Sequence, residues 1–191
     1  MLLLALTSSA FALPSAGASW SPLATTPVQI ACTTSEGRPY CRSTGVIGVP
    51  QAQATAIFAE FDKYVDRMGA ITRIDRLEPD VLRIVMDYPF PFEDRDYVAR
   101  FTRRTEADGT VVYGWKPVEH PKAPVESGVL RLTRLDGEWR FAAEGANTRV
   151  TYVWEAEAGG NLPDVGAVRT QAGTLAIRDM ASACGTKVVS P

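Results

Sequence analysis

Few residues in this sequence belong to the types that do nucleophilic, acid–base or metal chemistry. It contains one histidine, His120, and three cysteines. His120 precedes a proline in a stretch with loop character, and no nucleophile is placed to pair with it, so we do not expect a general base there. The cysteines lack CxxC spacing and have one histidine to complete a ligand set, which argues against a metal site. We therefore expect no catalytic residue, no metal and no cofactor.

Cys32 and Cys41 are predicted to form a disulfide. Each lies in a short strand-like run, and the turn-forming Ser35-Glu36-Gly37 separates the two runs. A hairpin would place the two side chains side by side, as a disulfide requires. Cys184 would then remain a free thiol, so the cysteine content fits an oxidising compartment only in part.

Length and composition are those of a single globular domain. The 191 residues are 46% hydrophobic, which suffices for a sizeable core. The formal net charge is −2 and no block of like charge stands out, so the sequence offers no basic field that would gather phosphates. We expect a monomer with no nucleic-acid partner.

The first 19 residues have the character of an export signal. An apolar run from Leu2 to Leu13 is followed by small residues. Ala10-Phe11-Ala12 and Ala16-Gly17-Ala18 both offer the small-x-small pattern that a signal peptidase accepts. The alternative is an uncleaved anchor, although the run is shorter than the roughly 20 residues that span a bilayer. We expect residues 1–19 to be a signal peptide, residues 20–187 to be the domain, and the protein to be periplasmic or secreted.

A helix and then a meander of strands are predicted for most of the domain. Val49-Pro50 begins an amphipathic segment with apolar residues at helical spacing, and Gly69 ends it. From Ile71 to Glu157 the pattern has period two with regular turn signals, as in an antiparallel meander. The predicted tight turns are Asp108-Gly109, Asp136-Gly137 and Gly145-Ala146-Asn147.

The last element is predicted to be a long helix that begins at Asn161, with Pro163 and Asp164 in its first turn, and ends at Gly185. One apolar face of this helix must cover something apolar. The face consists of Val165, Val168, Ala172, Leu175, Ala176, Met180 and Ala183. The fold class is therefore α+β of the helix-grip type, a curved antiparallel sheet wrapped around a long C-terminal helix.

Three stretches resemble motifs of the StAR-related lipid-transfer (START) family, in the order that family shows them. Asp87 to Val98 is similar to the family's P-x-P followed by R-D-[FY]-V. Glu119 to Arg131 is similar to its H-P-x-x-P followed by G-x-[VI]-R. Gly145 to Pro163 resembles its G-x-x-T-x-[VL]-T-[YW] strand and the G-x-[IL]-P that begins the closing helix.

The resemblance implies a cavity that holds one apolar molecule, such as a lipid, without chemistry and with transient membrane contact. Cholesterol-carrying members have an acidic residue and an arginine in the cavity, at positions that correspond here to Leu82 and Phe101. Arg100 is one position off and should face solvent. The implied ligand has no fixed polar head. Arg95 and Asp96 would form a charged gate or a structural contact at the bend.

Period two in this register selects the side chains that would line the cavity. They are Leu82, Ile84, Met86, Tyr97, Phe101, Tyr113, Trp115, Tyr152, Trp154, Val168, Ala172 and Leu175. An ordinary filled core would show the same pattern, because burial stabilises each side chain by about 1.5–3 kcal/mol against protein or lipid alike. Two other functions stay open: a polyketide cyclase or aromatase of the same superfamily, and a ligand-free interaction domain.

Overall fold

The computed structural model describes residues 13–15, 17–88, 90–156, 159 and 166–189. Residues 1–12 and 16 of the expected signal peptide, and the predicted helix start at residues 161–164, lie outside these residues. The strands are β1 (Ser21–Ala24), β2 (Gln29–Ser35), β3 (Arg38–Ile47), β4 (Ile71–Glu78), β5 (Val81–Met86), β6 (Asp94–Thr105), β7 (Val111–Pro117), β8 (Val129–Arg131), β9 (Gly137–Glu144), β10 (Asn147–Glu155) and β11 (Val188–Val189). The helices are α1 (Gln51–Phe58), α2 (Tyr64–Arg67) and α3 (Gly166–Ala183), with a 3-10 turn at Phe61–Lys63.

The strands form one large antiparallel sheet in the order β1-β2-β3-β10-β9-β7-β6-β5-β4. The short strands β11 and β8 pair with β3 and β6, and the β6–β8 pair is parallel. The sheet is curved and does not close on itself, and α3 packs against it. The predicted α+β helix-grip architecture is confirmed. The sequence patterns missed β1 and β11, which are the shortest strands apart from β8.

Three of the predicted turns are confirmed by the backbone. Glu36 and Gly37 have positive φ angles in the β2–β3 turn, and Gly109 and Gly145 have them in the β6–β7 and β9–β10 turns. The β2–β3 register places Cys32 directly opposite Cys41, and the two are joined by a disulfide. Cys184 is free and buried.

The turn predicted at Asp136-Gly137 is wrong, because Gly137 is the first residue of β9. A Cβ at Gly137 would overlap the ring of Trp115 and the carbonyl oxygen of Val153, so glycine is required there by close packing. Asp136 is buried and accepts a hydrogen bond from the Arg38 guanidinium at 2.7 Å.

The predicted helix from Pro50 to Gly69 is broken into α1, the 3-10 turn and α2. Side chains from beyond the break bond to the carbonyl groups at the end of α1. The Tyr64 hydroxyl donates to the Phe58 carbonyl at 2.8 Å, and the Arg67 guanidinium donates to the Ile57 carbonyl at 2.8 Å. The break is therefore capped internally.

The buried face of α3 includes Met180 of the predicted apolar face, whereas Val168, Ala172 and Leu175 are exposed and Val165 lies outside the described residues. Its buried residues are Gly173, Ile177, Met180 and Ala181. Gly173 lets the helix approach β3 and β10 closely, since a Cβ there would lie 2.8 Å from Trp154 Cη2. None of the helices in the described parts of the chain is both long and apolar enough to cross a bilayer.

Candidate ligand-binding site

The predicted lining residues of the strands share the inner, concave face of the sheet. The register pairs Leu82 with Ala99 and Ile84 with Tyr97, so these side chains point to the same side. Phe101 pairs with Trp115 in the same way. On β10, Tyr152 pairs with Trp139 of β9, and Trp154 follows Tyr152 in period two. On β5, Met86 follows Leu82 and Ile84 in period two. Whether these residues contact a ligand stays a prediction.

Aromatic rings on this face form a nearly parallel stack across neighbouring strands. Tyr152 lies between Trp139 and Trp154, with centroid distances of 4.4 and 4.7 Å and interplanar angles of 25° and 10°. Trp115 stacks on Tyr152 at 5.8 Å, and Phe101 stacks on Trp115 at 6.3 Å. The sequence analysis missed Trp139, although it alternates with polar Glu138 and Arg140 on β9, which is the signal of an inward residue.

The half of the inner face under α1 and α2 is a filled core. Phe58 packs against Tyr113, Trp139 and Phe141 at centroid distances of 4.8 to 5.3 Å. The Tyr113 hydroxyl donates to the Thr55 carbonyl at 3.3 Å. Tyr113 was predicted to line the cavity, but its ring and hydroxyl are both in contact with protein.

The other half of the inner face includes Tyr97, Trp115 and Tyr152, and we call the region between these side chains the recess. Burial raises the pKa of Tyr97, and burial, together with the nearby Tyr97 and Tyr88, raises the pKa of Tyr152. Both tyrosines are only half-buried, so part of each side chain remains accessible.

Three hydrogen-bond donors near the recess have no partner among the described residues. The Nε1 of Trp115 is buried and has no hydrogen-bond acceptor. Within the described residues, the side-chain hydrogen bonds include none from the hydroxyls of Tyr97 and Tyr152. A raised pKa keeps a phenol protonated at neutral pH, so these groups can donate a proton in a hydrogen bond but do not act as bases.

The predicted α3 contacts lie on a flank of the helix and not on its buried face. Val168 and Leu175 are 36% and 46% exposed, and Ala172 is also exposed. Asp179 belongs to the same flank by helical spacing, and its carboxylate accepts a hydrogen bond from the Gly69 amide at 3.0 Å. This flank therefore faces the α2–β4 connection, across the open side of the sheet.

The bend between β5 and β6 carries one buried charge and one fully exposed ring. Arg95 is buried on the inner face opposite Met86, and its guanidinium lies 4.3 Å from the ring centroid of Tyr88. The Arg95 guanidinium also donates to the carbonyl of Gly159, in the segment that precedes α3, at 3.4 Å. Phe90, at the tip of the bend, is 97% exposed.

Asp96 lies on the outer face and forms structural ion pairs. Its carboxylate accepts hydrogen bonds from Arg83 and Arg131, each at 2.6 Å. Burial opposes ionisation of Asp96, but the hydrogen bonds and charges of these two arginines outweigh it and lower the pKa. Arg100 also faces outward, as predicted, and pairs with Asp80 at 2.6 Å.

The region around His120 is a cleft on the outer face, far from the aromatic stack in the sheet. The cleft has a volume of about 350 Å³ and includes Val98, His120 and Arg131 in its wall. His120 Nε2 lies 3.3 Å from the Glu78 carboxylate. The described residues contain no group of three or more side chains that could bind a metal ion.

A second buried charge cluster, which the sequence patterns did not reveal, joins distant segments on the outer face. Arg38 pairs with Asp136 and with the buried carboxylate of Glu155. The Tyr40 hydroxyl donates to Asp136 at 3.1 Å. In the sequence, Arg38 lies 98 positions from Asp136 and 117 positions from Glu155, so only the fold brings them together.

Several solved structures have this fold, and StAR-related lipid transfer proteins are among them. A StAR-related lipid transfer protein fragment from Xanthomonas axonopodis superposes with a TM-score of 0.72, at 18% identity, over 87% of this chain and 98% of that one. Human StAR-related lipid transfer protein 5 gives a TM-score of 0.73, at 16% identity, over 88% of both chains. An aromatase/cyclase from Streptomyces sp. R1128 gives 0.50, at 19% identity, over 76% of this chain and 91% of that one.

The chain therefore has the START-type helix-grip fold. No protein-family model matches the sequence. An uncharacterized protein of Pseudomonas aeruginosa is 39% identical over 79 residues, which are 41% of this chain. That match spans about two fifths of the relative's length.

Proposed function

We propose that this protein binds one apolar molecule in the recess and transfers it without chemical change. The observation that supports this most directly is that the inner-face rings of Tyr97, Phe101 and Tyr152 are only half-buried. A core that served stability alone would be packed against these rings, because a void forfeits dispersion contacts. The lipid transfer proteins with the same fold support the class of ligand.

A cyclase-type activity is the second candidate, since an aromatase/cyclase has a similar fold. Such chemistry needs a group that removes a proton from the substrate. The hydroxyls of Tyr97 and Tyr152, which form no side-chain hydrogen bond within the described part of the chain, have raised pKa values and remain protonated at neutral pH. This favours binding over catalysis.

The exposed apolar residues near the bend and α3 support a role in membrane contact. Phe90 is 97% exposed, and Leu175 on the flank of α3 is 46% exposed. The hydrogen bond from Arg95 to the Gly159 carbonyl ties the bend to the segment before α3. We propose that Phe90 inserts into a membrane during transfer, so Phe90→Asp should slow transfer between vesicles without changing the amount of ligand bound.

Export is part of this proposal. The Cys32–Cys41 disulfide supports an oxidising compartment, and the apolar segment of residues 1–19 supports a signal peptide. The full chain should be expressed with its own start in a Gram-negative host and the N-terminus of the exported protein sequenced. A processed N-terminus close to residue 20 is expected, and an intact Met1 would contradict it.

Native mass spectrometry of the purified protein, followed by solvent extraction and mass analysis of the extract, tests the binding function. We expect a mass increment that disappears after extraction. Ala172→Trp adds a large side chain on the α3 flank and should reduce this increment, whereas Gln171→Trp, on the solvent side of the same helix, should not. If the protein takes up no apolar ligand and the Ala172→Trp variant has the same mass as expected from its sequence, the binding function is refuted and the fold assignment alone remains.

A further inference from the structure

We propose that the bend between β5 and β6 docks on a bilayer of zwitterionic lipids and is repelled by an anionic one. Phe90 supplies the apolar contact, and the carboxylates of Asp87 and Glu93 set the selectivity. The inference rests on the proposed membrane contact of Phe90 and deepens it, because it names the class of lipid headgroup that the protein meets.

The tip of the bend enters an apolar layer at little cost to backbone hydrogen bonding. Phe90 is 97% exposed, so its ring contacts almost no other part of the protein. It lies between Pro89 and Pro91 in the sequence, and proline has no backbone N–H. Two amide donors that would be left without a partner in hydrocarbon are therefore absent. A bilayer accepts a lone ring without a complementary pocket, which favours a lipid surface over a protein as the partner.

Carboxylates lie on both sides of this tip. Asp87 and Glu93 are each three residues from Phe90 and are exposed, and neither takes part in an ion pair with another described residue. The sequence from Asp87 to Asp94 contains no lysine, arginine or histidine. Arg95 follows, but it is only 2% exposed. The exposed charges of the described bend are therefore all negative.

The spacing places these charges at the headgroup level of a bilayer. Three residues of extended chain reach at most about 10 Å, so the Phe90 ring enters only the upper part of the hydrocarbon layer while both carboxylates stay among the headgroups. Apolar elements that lie in the interface penetrate to a similar depth of about 5–10 Å. Anionic headgroups would repel the two carboxylates, whereas the ammonium groups of zwitterionic lipids would attract them.

The size of the selectivity follows from the number of charges. One charge at an anionic membrane surface changes the binding constant about fivefold. Two carboxylates should therefore weaken binding to an anionic surface about 25-fold at low ionic strength. Screening limits the repulsion to about 10 Å at 0.1 M salt and about 3 Å at 1 M salt, so the difference should shrink as salt is added, while the apolar contact of Phe90 persists.

Flotation of the purified protein with two kinds of lipid vesicle tests the inference. One kind is phosphatidylcholine alone, and in the other about a third of the lipid is phosphatidylglycerol, which is anionic. We expect binding to phosphatidylcholine that is lost in Phe90→Ser. At low salt, the wild type should bind the anionic vesicles about 25-fold more weakly.

The variant Asp87→Asn/Glu93→Gln should bind both kinds of vesicle with the affinity that the wild type has for phosphatidylcholine. Both residues are exposed, so the melting temperature should be unchanged. Asp108→Asn/Glu144→Gln is the matched control, because it removes the same charge at the other end of the sheet. Asp108 lies in the turn after β6, about 36 Å along that strand from the bend, and Glu144 ends β9. The control should discriminate between the vesicles as the wild type does.

Equal or tighter binding of the wild type to the anionic vesicles would overturn the inference. So would an Asp87→Asn/Glu93→Gln variant that discriminates as strongly as the control. In both cases the binding that depends on Phe90 would remain, and the proposed membrane contact would stand. Absence of such binding to either kind of vesicle would refute the membrane contact and the inference together, and would leave a protein as the partner of the bend.

Discussion

The closest approach between α3 and the sheet can be tested at Gly173. A Cβ at this position would lie 2.8 Å from Trp154 Cη2 and 3.3 Å from Ile30 Cδ1, and closer still to Ser43 Oγ. The Ser43 hydroxyl can rotate, but the Trp154 ring is held in the aromatic stack. Gly173→Ala must therefore push the helix away from β3 and β10.

The expected magnitude is the difference between two opposing effects. Overpacking of a close contact costs about 1–3 kcal/mol, while alanine in a helix interior is favoured over glycine by about 1 kcal/mol. Gly173→Ala should thus lower the free energy of unfolding by about 1 kcal/mol. Gly166→Ala, in the first turn of the same helix, comes no closer than 3.7 Å to another described side chain, that of Leu23, and should be neutral or slightly stabilising.

Thermal and urea unfolding of the two variants provide the assay. A difference of about 1 kcal/mol between them corresponds to about 2–4 °C in Tm for a domain of this size. In a Ser43→Ala background the cost of Gly173→Ala should shrink without vanishing, because Trp154 remains in place. If Gly173→Ala is as stable as Gly166→Ala, α3 does not pack as closely on the sheet as described.

Three further predictions concern the outer face, the disulfide and the bend. Asp96→Asn should lower the free energy of unfolding at pH 7 by about 3 kcal/mol, because it leaves buried arginine charge without its partner. Since the pKa of Asp96 is lowered in the fold, this stabilisation is present above about pH 4 and is lost as the pH falls. The free energies of unfolding of the variant and the wild type should therefore converge in acid unfolding curves. The denatured protein should react with one equivalent of a thiol reagent without reductant, at Cys184, and with three equivalents after reduction. Three reactive thiols before reduction would contradict the disulfide. Replacement of Cys32 and Cys41 by serine should lower the free energy of unfolding by about 2–3 kcal/mol through loop-closure entropy. Phe90→Asp should leave the melting temperature unchanged while it slows vesicle-to-vesicle transfer, and an unchanged transfer rate would exclude this ring from membrane contact.

Local signals were sufficient for the turns and for the faces of the strands. Gly109 and Gly145 follow or begin short polar turns between period-two runs, and their positive φ angles are what a tight hairpin requires. The same period placed Tyr97 and Tyr152 on one face, because each strand exposes alternate residues to each side. These features depend only on neighbours in sequence.

Features that depend on distant contacts were not predictable. Asp136 was taken for a turn residue because nothing nearby shows that Arg38 neutralises it from 98 positions away. The buried face of α3 was misassigned for a related reason. Apolar residues occur on several sides of this helix, and the buried side is set by Gly173, which has no side chain to contribute to an apolar pattern.

The division of the inner face into a filled half and a recess links stability to binding. The rings around Phe58 are packed by protein and stabilise the fold whether or not a ligand is present. The half-buried rings of Tyr97 and Tyr152 are instead in incomplete contact with protein. A ligand that binds the folded state alone raises its stability as its concentration exceeds the dissociation constant. The delipidated protein should therefore melt at a lower temperature than the protein as purified, and added apolar ligand should restore the difference.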